Sequence, residues 1–238
     1  FLNEHRVQLI FGLQHQLLPN VASSLSYYNS QEKDYASQAV ATEFKFSLAQ
    51  ENTQIGIKGQ YTYDEVGKVL AEGRQLNTPR ETYGVNLRIN QLLSPTTKGS
   101  LVLDHQYIKG ELSDPYRQIT FADGRTSYEK VPNLRKRYAV TPMLKEFFPK
   151  LDMAVLLKYR YYFDLWGDAE LFGVESNLGE VKINKGIGKD WVLSLQYRMY
   201  QQKNRSFYKS AYTGKEDYYT SDYKLANFSS NTYGAGLS

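Results

Sequence analysis

The stretch Val155-Leu156-Leu157-Lys158-Tyr159-Arg160-Tyr161-Tyr162-Phe163 decides the fold. Val155, Leu157, Tyr159, Tyr161 and Phe163 oppose Leu156, Lys158, Arg160 and Tyr162. Period two is the signature of a strand with one apolar and one polar face. The same alternation recurs along the chain. Val7, Leu9, Phe11 and Leu13 alternate with Gln8, Ile10, Gly12 and Gln14. Val40, Thr42, Phe44, Phe46 and Leu48 alternate with Ala41, Glu43, Lys45 and Ser47. Ile55, Ile57, Tyr61 and Tyr63 form a third set, Tyr83, Val85, Leu87 and Ile89 a fourth, and Leu193, Leu195, Tyr197 and Met199 a fifth.

Working outward, the pattern predicts eleven strands, at about 4–17, 20–29, 37–49, 53–64, 81–93, 99–109, 135–147, 153–164, 168–184, 191–202 and 222–238. At roughly 10–15 residues they exceed the usual 5–6 of soluble sheets and reach the roughly 9–11 a tilted membrane strand needs. Short turns are expected at 18–20, 50–52, 94–98, 149–152 and 186–190, where Pro, Asn, Asp and Gly supply turn chemistry. Longer polar connections are expected at 30–36, 65–80, 110–134 and 203–221, with a tight corner at Leu165-Trp166-Gly167. Short turns at one end and long loops at the other mark an outer-membrane barrel. Soluble sandwiches, propellers and barrels also alternate. Strand length, the loop asymmetry and aromatics near strand ends (Tyr27, Tyr28, Tyr61, Tyr63, Tyr83, Tyr107, Tyr138, Tyr159, Tyr161, Tyr197, Tyr233) favour the membrane.

Composition agrees. The 238 residues carry 21 Tyr against 2 Trp, and only 41% are hydrophobic, with a mean hydropathy of −0.56. A Tyr-rich chain of strand formers with few core residues suits a wet interior. Apolar runs are as short as Ala154-Val155-Leu156-Leu157, against the roughly 18 residues of a membrane-crossing helix. No Cys occurs, which excludes disulfides, thiolate metal sites and cysteine nucleophiles. A net charge of +4 without a Lys/Arg tract argues against nucleic-acid binding. One domain over 1–238 is expected. Eleven is an odd count, and end strands in lipid need partners. The expectation is therefore a barrel of about 12–16 strands, with strands missing here at one or both ends.

Several stretches, mainly at the loop end, resemble a known family. They are Gln31-Glu32-Lys33-Asp34-Tyr35-Ala36-Ser37, Leu93-Ser94-Pro95-Thr96-Thr97, Leu112-Ser113-Asp114-Pro115-Tyr116-Arg117, Tyr128 to Arg137, Tyr159 to Gly167 and Ser221-Asp222-Tyr223-Lys224-Leu225. Their order and spacing are similar to the bacterial envelope family called domain of unknown function 3570, over nearly the whole chain. The resemblance implies an outer-membrane β-barrel and no established activity. In that family a His often follows the Asp-x-Trp-Gly corner. Here Asp168-Ala169-Glu170 follows, so no role of that His carries over.

Two residue groups are candidate functional features. On the polar faces, Lys45, Lys58, Arg88, Arg137, Lys145, Lys158, Arg160 and Arg198 stand against Glu43, Asp104 and Glu170. A basic lumen would favour anions. The alternative is that these charges pair across strands, Glu43 with Lys58 and Asp104 with Arg88, and brace the barrel. At the loop end, Asp114, Tyr116, Arg135, Arg137, Tyr162, Asp164 and Trp166 could form a cluster of Arg, Asp and aromatics. It would be a ligand or partner site, or a plug pinned by Arg–Asp pairs.

Loop carboxylates Glu111, Asp114, Asp123, Asp217 and Asp222 carry no calcium-loop spacing. Asp104 points to the opposite strand face from His105 and cannot orient it. No Gly-x-Ser-x-Gly, His-Glu-x-x-His or P-loop occurs. The expectation is a non-enzyme with no metal, cofactor or catalytic residue. It would lie in the outer membrane of a Gram-negative bacterium, as a narrow or plugged channel or transporter for small polar or anionic solutes. The alternative is an anchor or scaffold of an envelope complex. The lipid bilayer, small solutes and other envelope proteins are the candidate partners, and nucleic acid is not.

Overall fold

The computed structural model describes residues 5–69, 75–204 and 207–238. The strands are β1 (Val7–Leu18), β2 (Val21–Gln31), β3 (Tyr35–Leu48), β4 (Thr53–Val69), β5 (Gln75–Leu92), β6 (Thr97–Gly110), β7 (Gln118–Thr120), β8 (Thr126–Tyr128), β9 (Leu134–Phe148), β10 (Met153–Trp166), β11 (Leu171–Ile187), β12 (Trp191–Asn204) and β13 (Phe228–Leu237). All the long strands join one antiparallel sheet of 11 strands in chain order, and β7 pairs with β8 in a separate ribbon. Among the described residues no α-helix occurs, and no helix is long and apolar enough to cross a membrane. β1 and β13 are the edges of the sheet, and both are exposed along their whole length.

The long strands match the expected set, with four corrections. The stretch 65–80, expected as a loop, is largely strand, because β4 continues to Val69 and β5 starts at Gln75. The remainder, 70–74, lies outside the described residues. Register pairs run unbroken from Thr53↔Gln91 to Val69↔Gln75, so backbone pairing overrides the polar composition here. The connection expected at 30–36 shrinks to 32–34. The loop 110–134 carries the ribbon β7–β8. The last strand starts at Phe228 and not at 222, because the Asp222 side chain accepts from the Lys224 amide and caps a 3₁₀ turn over Tyr223–Leu225.

Period two divides the sheet into two faces. Tyr27, Val40, Tyr61, Tyr83 and Tyr107 stand in one row on the outer face. The Tyr61 and Tyr83 rings are 5.1 Å apart and those of Tyr83 and Tyr107 6.3 Å. His105, Tyr138 and Phe163 continue the outer aromatics by stacking at 4.6 and 4.9 Å. Tyr28 departs from the expected aromatic band. It stands opposite Ala39 on the inner face, and its hydroxyl accepts from Arg6 Nη2 at 2.6 Å.

Pro142 lies inside β9 without breaking it. Its register with β6 is kept, while the β9–β10 pairing lapses at Tyr159 and Arg160 and resumes unshifted at Tyr161. The missing N–H therefore costs only a local gap in the ladder.

Gly110 ends β6 at φ +112, and a Cβ there would collide with the Pro79 carbonyl and come within 2.9 Å of Arg80 Cα. At Gly59 a Cβ would meet nothing within 4 Å. Gly110→Ala is expected to cost about 1–3 kcal/mol, and Gly59→Ala no more than about 0.5 kcal/mol. Urea unfolding of the micelle-bound protein, followed by tryptophan fluorescence, measures both.

Candidate functional site

Two loop segments fold back over one face of the sheet, and this defines the inner face. Trp166 and Val174 of β10 and β11 bury against Phe207 and Leu225, with Leu112, Val131 and Tyr162 packed around them. A second cluster, Ile119, Phe121 and Tyr212, joins the β7–β8 ribbon to the segment after β12. Lys130 and Tyr219 exchange backbone hydrogen bonds at 3.0 and 2.8 Å. Gln202, facing inward from β12, donates to the carbonyls of Lys224 and Ala226. The result is a lid over the loop end of the inner face.

Polar groups latch the lid. Buried Glu129 accepts from the Asp114 amide, from Arg117 Nη1 at 2.9 Å and from the hydroxyl of the fully buried Thr220. Arg117 also faces Asp114 at 3.3 Å and Asp222 at 3.5 Å. The Tyr212 hydroxyl shares its one proton between the Phe207 and Thr220 carbonyls, both within hydrogen-bond reach. In the exposed turn beyond, desolvation raises the Glu216 carboxyl. The Lys209 ammonium, Glu216's own N–H and those of Thr213 and Gly214 outweigh it and lower the pKa to about 2. That turn keeps its charge until the pH falls through about 2.

Beneath the lid lies the cluster of Arg135, Tyr162, Asp164 and Trp166. Asp164 is fully buried. Arg135 donates to Oδ2 through Nε at 2.8 Å and also through Nη2. The Tyr162 hydroxyl donates to the same oxygen at 2.9 Å, and the Val174 amide to Oδ1 at 2.7 Å. The Arg135 guanidinium lies 4.4 Å from the Trp166 ring. The rest of the expected loop-end cluster stands elsewhere. Asp114 belongs to the lid latch, and the Tyr116 hydroxyl donates to Asp34 at 2.5 Å. Their sequence neighbourhood gave no register to place them. Arg137 is the direct register partner of Asp164 but does not bond it. It reaches Gln106 Oε1 at 3.4 Å, and its buried Nε has no partner among the described residues.

A second Tyr–Asp–Arg group repeats this chemistry on β3–β5. Buried Asp64 accepts from the Tyr35 hydroxyl at 2.7 Å and from Arg80 Nε at 2.9 Å, and Arg80 Nη2 reaches the Tyr35 hydroxyl at 3.2 Å. The sequence reading missed it because Arg80 fell in a stretch read as loop. Asp64 and Arg80 are register partners, so extending the alternation past Tyr63 would have found them.

The basic inner wall is where alternation placed it. Lys45, Lys58, Arg88, Lys145, Lys158, Arg160 and Arg198 all share the inner face, as the register requires. The expected pairings are not formed. Glu43 faces Lys45 at 3.6 Å and not Lys58. Asp104 accepts from Asn86 at 2.6 Å and from Arg160 at 3.2 Å, not from Arg88. The side chain two strands away reaches Asp104 because Arg160 is long and points across the inward-facing Thr141, to which it also donates. Glu170 leaves this wall altogether. It sits at the β10–β11 turn and binds Lys136 Nζ at 2.7 Å on the outer side. Glu180, unnoticed in the sequence, stands between Lys158 and Arg198 in register. Lys98 and Lys145 stand directly opposite each other near the short-turn end, an arrangement that is unfavourable without a counter-charge.

His105 faces outward. Its Nδ1 lies 3.2 Å from the Arg137 carbonyl. Among the described residues no group of three His, Asp or Glu could hold a metal ion.

The chain belongs to the family described as "Protein of unknown function (DUF3570)", whose model matches residues 1–78 and 71–238. No curated protein matches it. Among solved structures it is similar to the siderophore receptor PiuA from Acinetobacter baumannii, with a TM-score of 0.57 and 9% identity over 97% of this chain. This chain spans 44% of that receptor. The NanC porin matches at a TM-score of 0.43 and 8% identity over 99% of this chain and 96% of that one. BamA from Haemophilus ducreyi lacking POTRA domains 1–3 matches at 0.41 and 11% identity over 84% of this chain and 41% of that one. The likeness to the receptor shows the fold alone, an antiparallel transmembrane β-barrel.

Asp164→Ala would strand Arg135 beneath the lid. It is expected to cost about 3–5 kcal/mol, the usual loss when a buried pair keeps one partner. The double variant Arg135→Met/Asp164→Leu is expected to cost less than the single one. A thermal melt of all three proteins tests this.

Proposed function

From a family without an assigned activity and a fold shared with outer-membrane barrels, we propose that this chain forms the wall of a lidded channel for small anionic solutes. The channel lies in the outer membrane of a Gram-negative bacterium. One observation carries the reading: the inner-face cations outnumber the carboxylates that could pair with them. Among the described residues Lys58, Arg88, Lys145, Lys158 and Arg198 have no carboxylate within 4.0 Å; Glu43 and Asp104 are engaged by Lys45 and Arg160, and Glu180 alone stands in register between Lys158 and Arg198. Such a wall raises the local concentration of anions and repels cations.

In this reading the short turns face the periplasm and the lid faces the exterior. The lid restricts entry and makes the passage narrow. Further strands pair the edges β1 and β13, since unpaired backbone is not tolerated in hydrocarbon.

The burial of Glu129 and Thr220 in the lid favours a second reading, a permanently plugged barrel that anchors an envelope complex. Planar-bilayer conductance of the full-length protein separates the two. The channel reading expects anion preference in a salt gradient. A unit charge about 10 Å from a passing ion contributes roughly 0.4 kcal/mol in water before screening. Lys158→Glu/Arg198→Glu is therefore expected to lower the anion-to-cation permeability ratio by about threefold or more. Glu129→Ala, which loosens the lid, is expected to raise the conductance. A barrel that inserts but stays silent both as wild type and as Glu129→Ala would move the assignment to the anchor.

A further inference from the structure

Lys58 and Arg88 stand diagonally across the β4–β5 ladder, with Lys58 opposite Asn86 and Arg88 opposite Gly56. Both line a hollow of about 300 Å³ on the inner face, together with Gln60, Gly84, Asn86, Gln106 and the carboxylate of Asp104. The carboxylates nearest to them are already occupied. Asp104 Oδ1 accepts from Asn86 and Oδ2 from Arg160, and Glu43 faces Lys45. Asp104 thus enters the cavity already matched by Arg160, and Lys58 and Arg88 share it without a carboxylate within 4.0 Å among the described residues. Gln106 spends its Oε1 on Arg137, which leaves its amide N–H₂ as a donor with no described acceptor.

Resting on the channel reading, we infer that this hollow is a binding subsite for a doubly charged tetrahedral oxyanion: phosphate, or the phosphate group of a small solute. The chemistry matches in three respects. An Arg fork presents parallel N–H donors to two oxyanion oxygens, and a Lys supplies a compact point charge beside it. Two uncompensated positive charges balance a divalent group and not a monovalent one. Gly84 has no Cβ between its neighbours Gln60 and Gln106, so the wall is recessed there. The volume lies at the small end of ligand sites, which suits phosphate with a small organic remainder.

Isothermal titration of inorganic phosphate into the full chain in detergent micelles at low ionic strength tests the subsite without any conductance. The expected result is saturable binding, weakened at least tenfold by Arg88→Gln and by Lys58→Gln. Lys136→Gln, on the outer side, is expected to bind as the wild type does. Arg88→Lys keeps the charge and loses the fork, and is expected to weaken binding severalfold even if Arg88→Gln fails to fold. Absence of saturable binding to the folded wild type, or binding indifferent to both Arg88→Lys and Lys58→Gln, would overturn the subsite. The two readings fail separately. An anion-selective barrel that does not bind phosphate loses only the subsite. A silent barrel that binds phosphate through Arg88 and Lys58 loses only the channel.

Discussion

A strand in hydrocarbon must hand every N–H and C=O to a neighbour, because nothing else there can accept them. The rest of this molecule depends on that constraint. It makes the strands long, and β4 and β5 keep pairing well past the point where their composition turns polar. It also locks the register, and the register decides which side chains meet lipid and which meet the interior. Even Pro142 obeys it, since the ladder lapses for two residues of β10 and resumes without a slip. A one-residue shift would send Lys158 and Arg160 into lipid and Tyr159 and Tyr161 into the lumen.

Within the fixed register the inner carboxylates act as scarce partners. Asp64 and Asp164 each gather an Arg and a Tyr under the lid, and Asp104 ties Arg160 to Asn86. Each is satisfied by guanidinium, hydroxyl or amide donors, as groups removed from water must be. Their commitment leaves Lys58 and Arg88 without a carboxylate within 4.0 Å among the described residues. The electrostatic character of the inner face thus follows from which Arg each Asp selects. Arg137 shows how sharp that selection is. It is the register neighbour of Asp164, yet Arg135 takes the carboxylate.

The lid is the only part of the molecule with a compact apolar core among the described residues. Elsewhere the outer face meets lipid and the inner face is wet, so the large side chains of both remain accessible. Two loop segments distant in sequence meet over Trp166 and Val174 and are cross-linked through Glu129 and Thr220. Buried polar latches of this kind demand full satisfaction, and here Glu129 has three donors.

How much of this could be read from residues alone follows from the range of each interaction. Alternation places Lys158 and Arg160 inside and Tyr159 and Tyr161 outside, because the side-chain period of a strand is local geometry. The fold class, the eleven long strands, the short-turn end and the basic inner wall were therefore legible. Loop stretches have no period, so Asp114 and Tyr116 could not be placed, and Tyr28, counted among the aromatics near strand ends, stands on the inner face. The ion pairs were illegible for another reason. Glu43 beside Lys58 and Asp104 beside Arg88 are reasonable partners by adjacency, but a long Arg on β10 reaches Asp104 across an intervening strand. Backbone pattern determined which charges face the lumen. Only the tertiary structure decided which of them are neutralised, because side-chain reach and competition for a few carboxylates are settled in three dimensions.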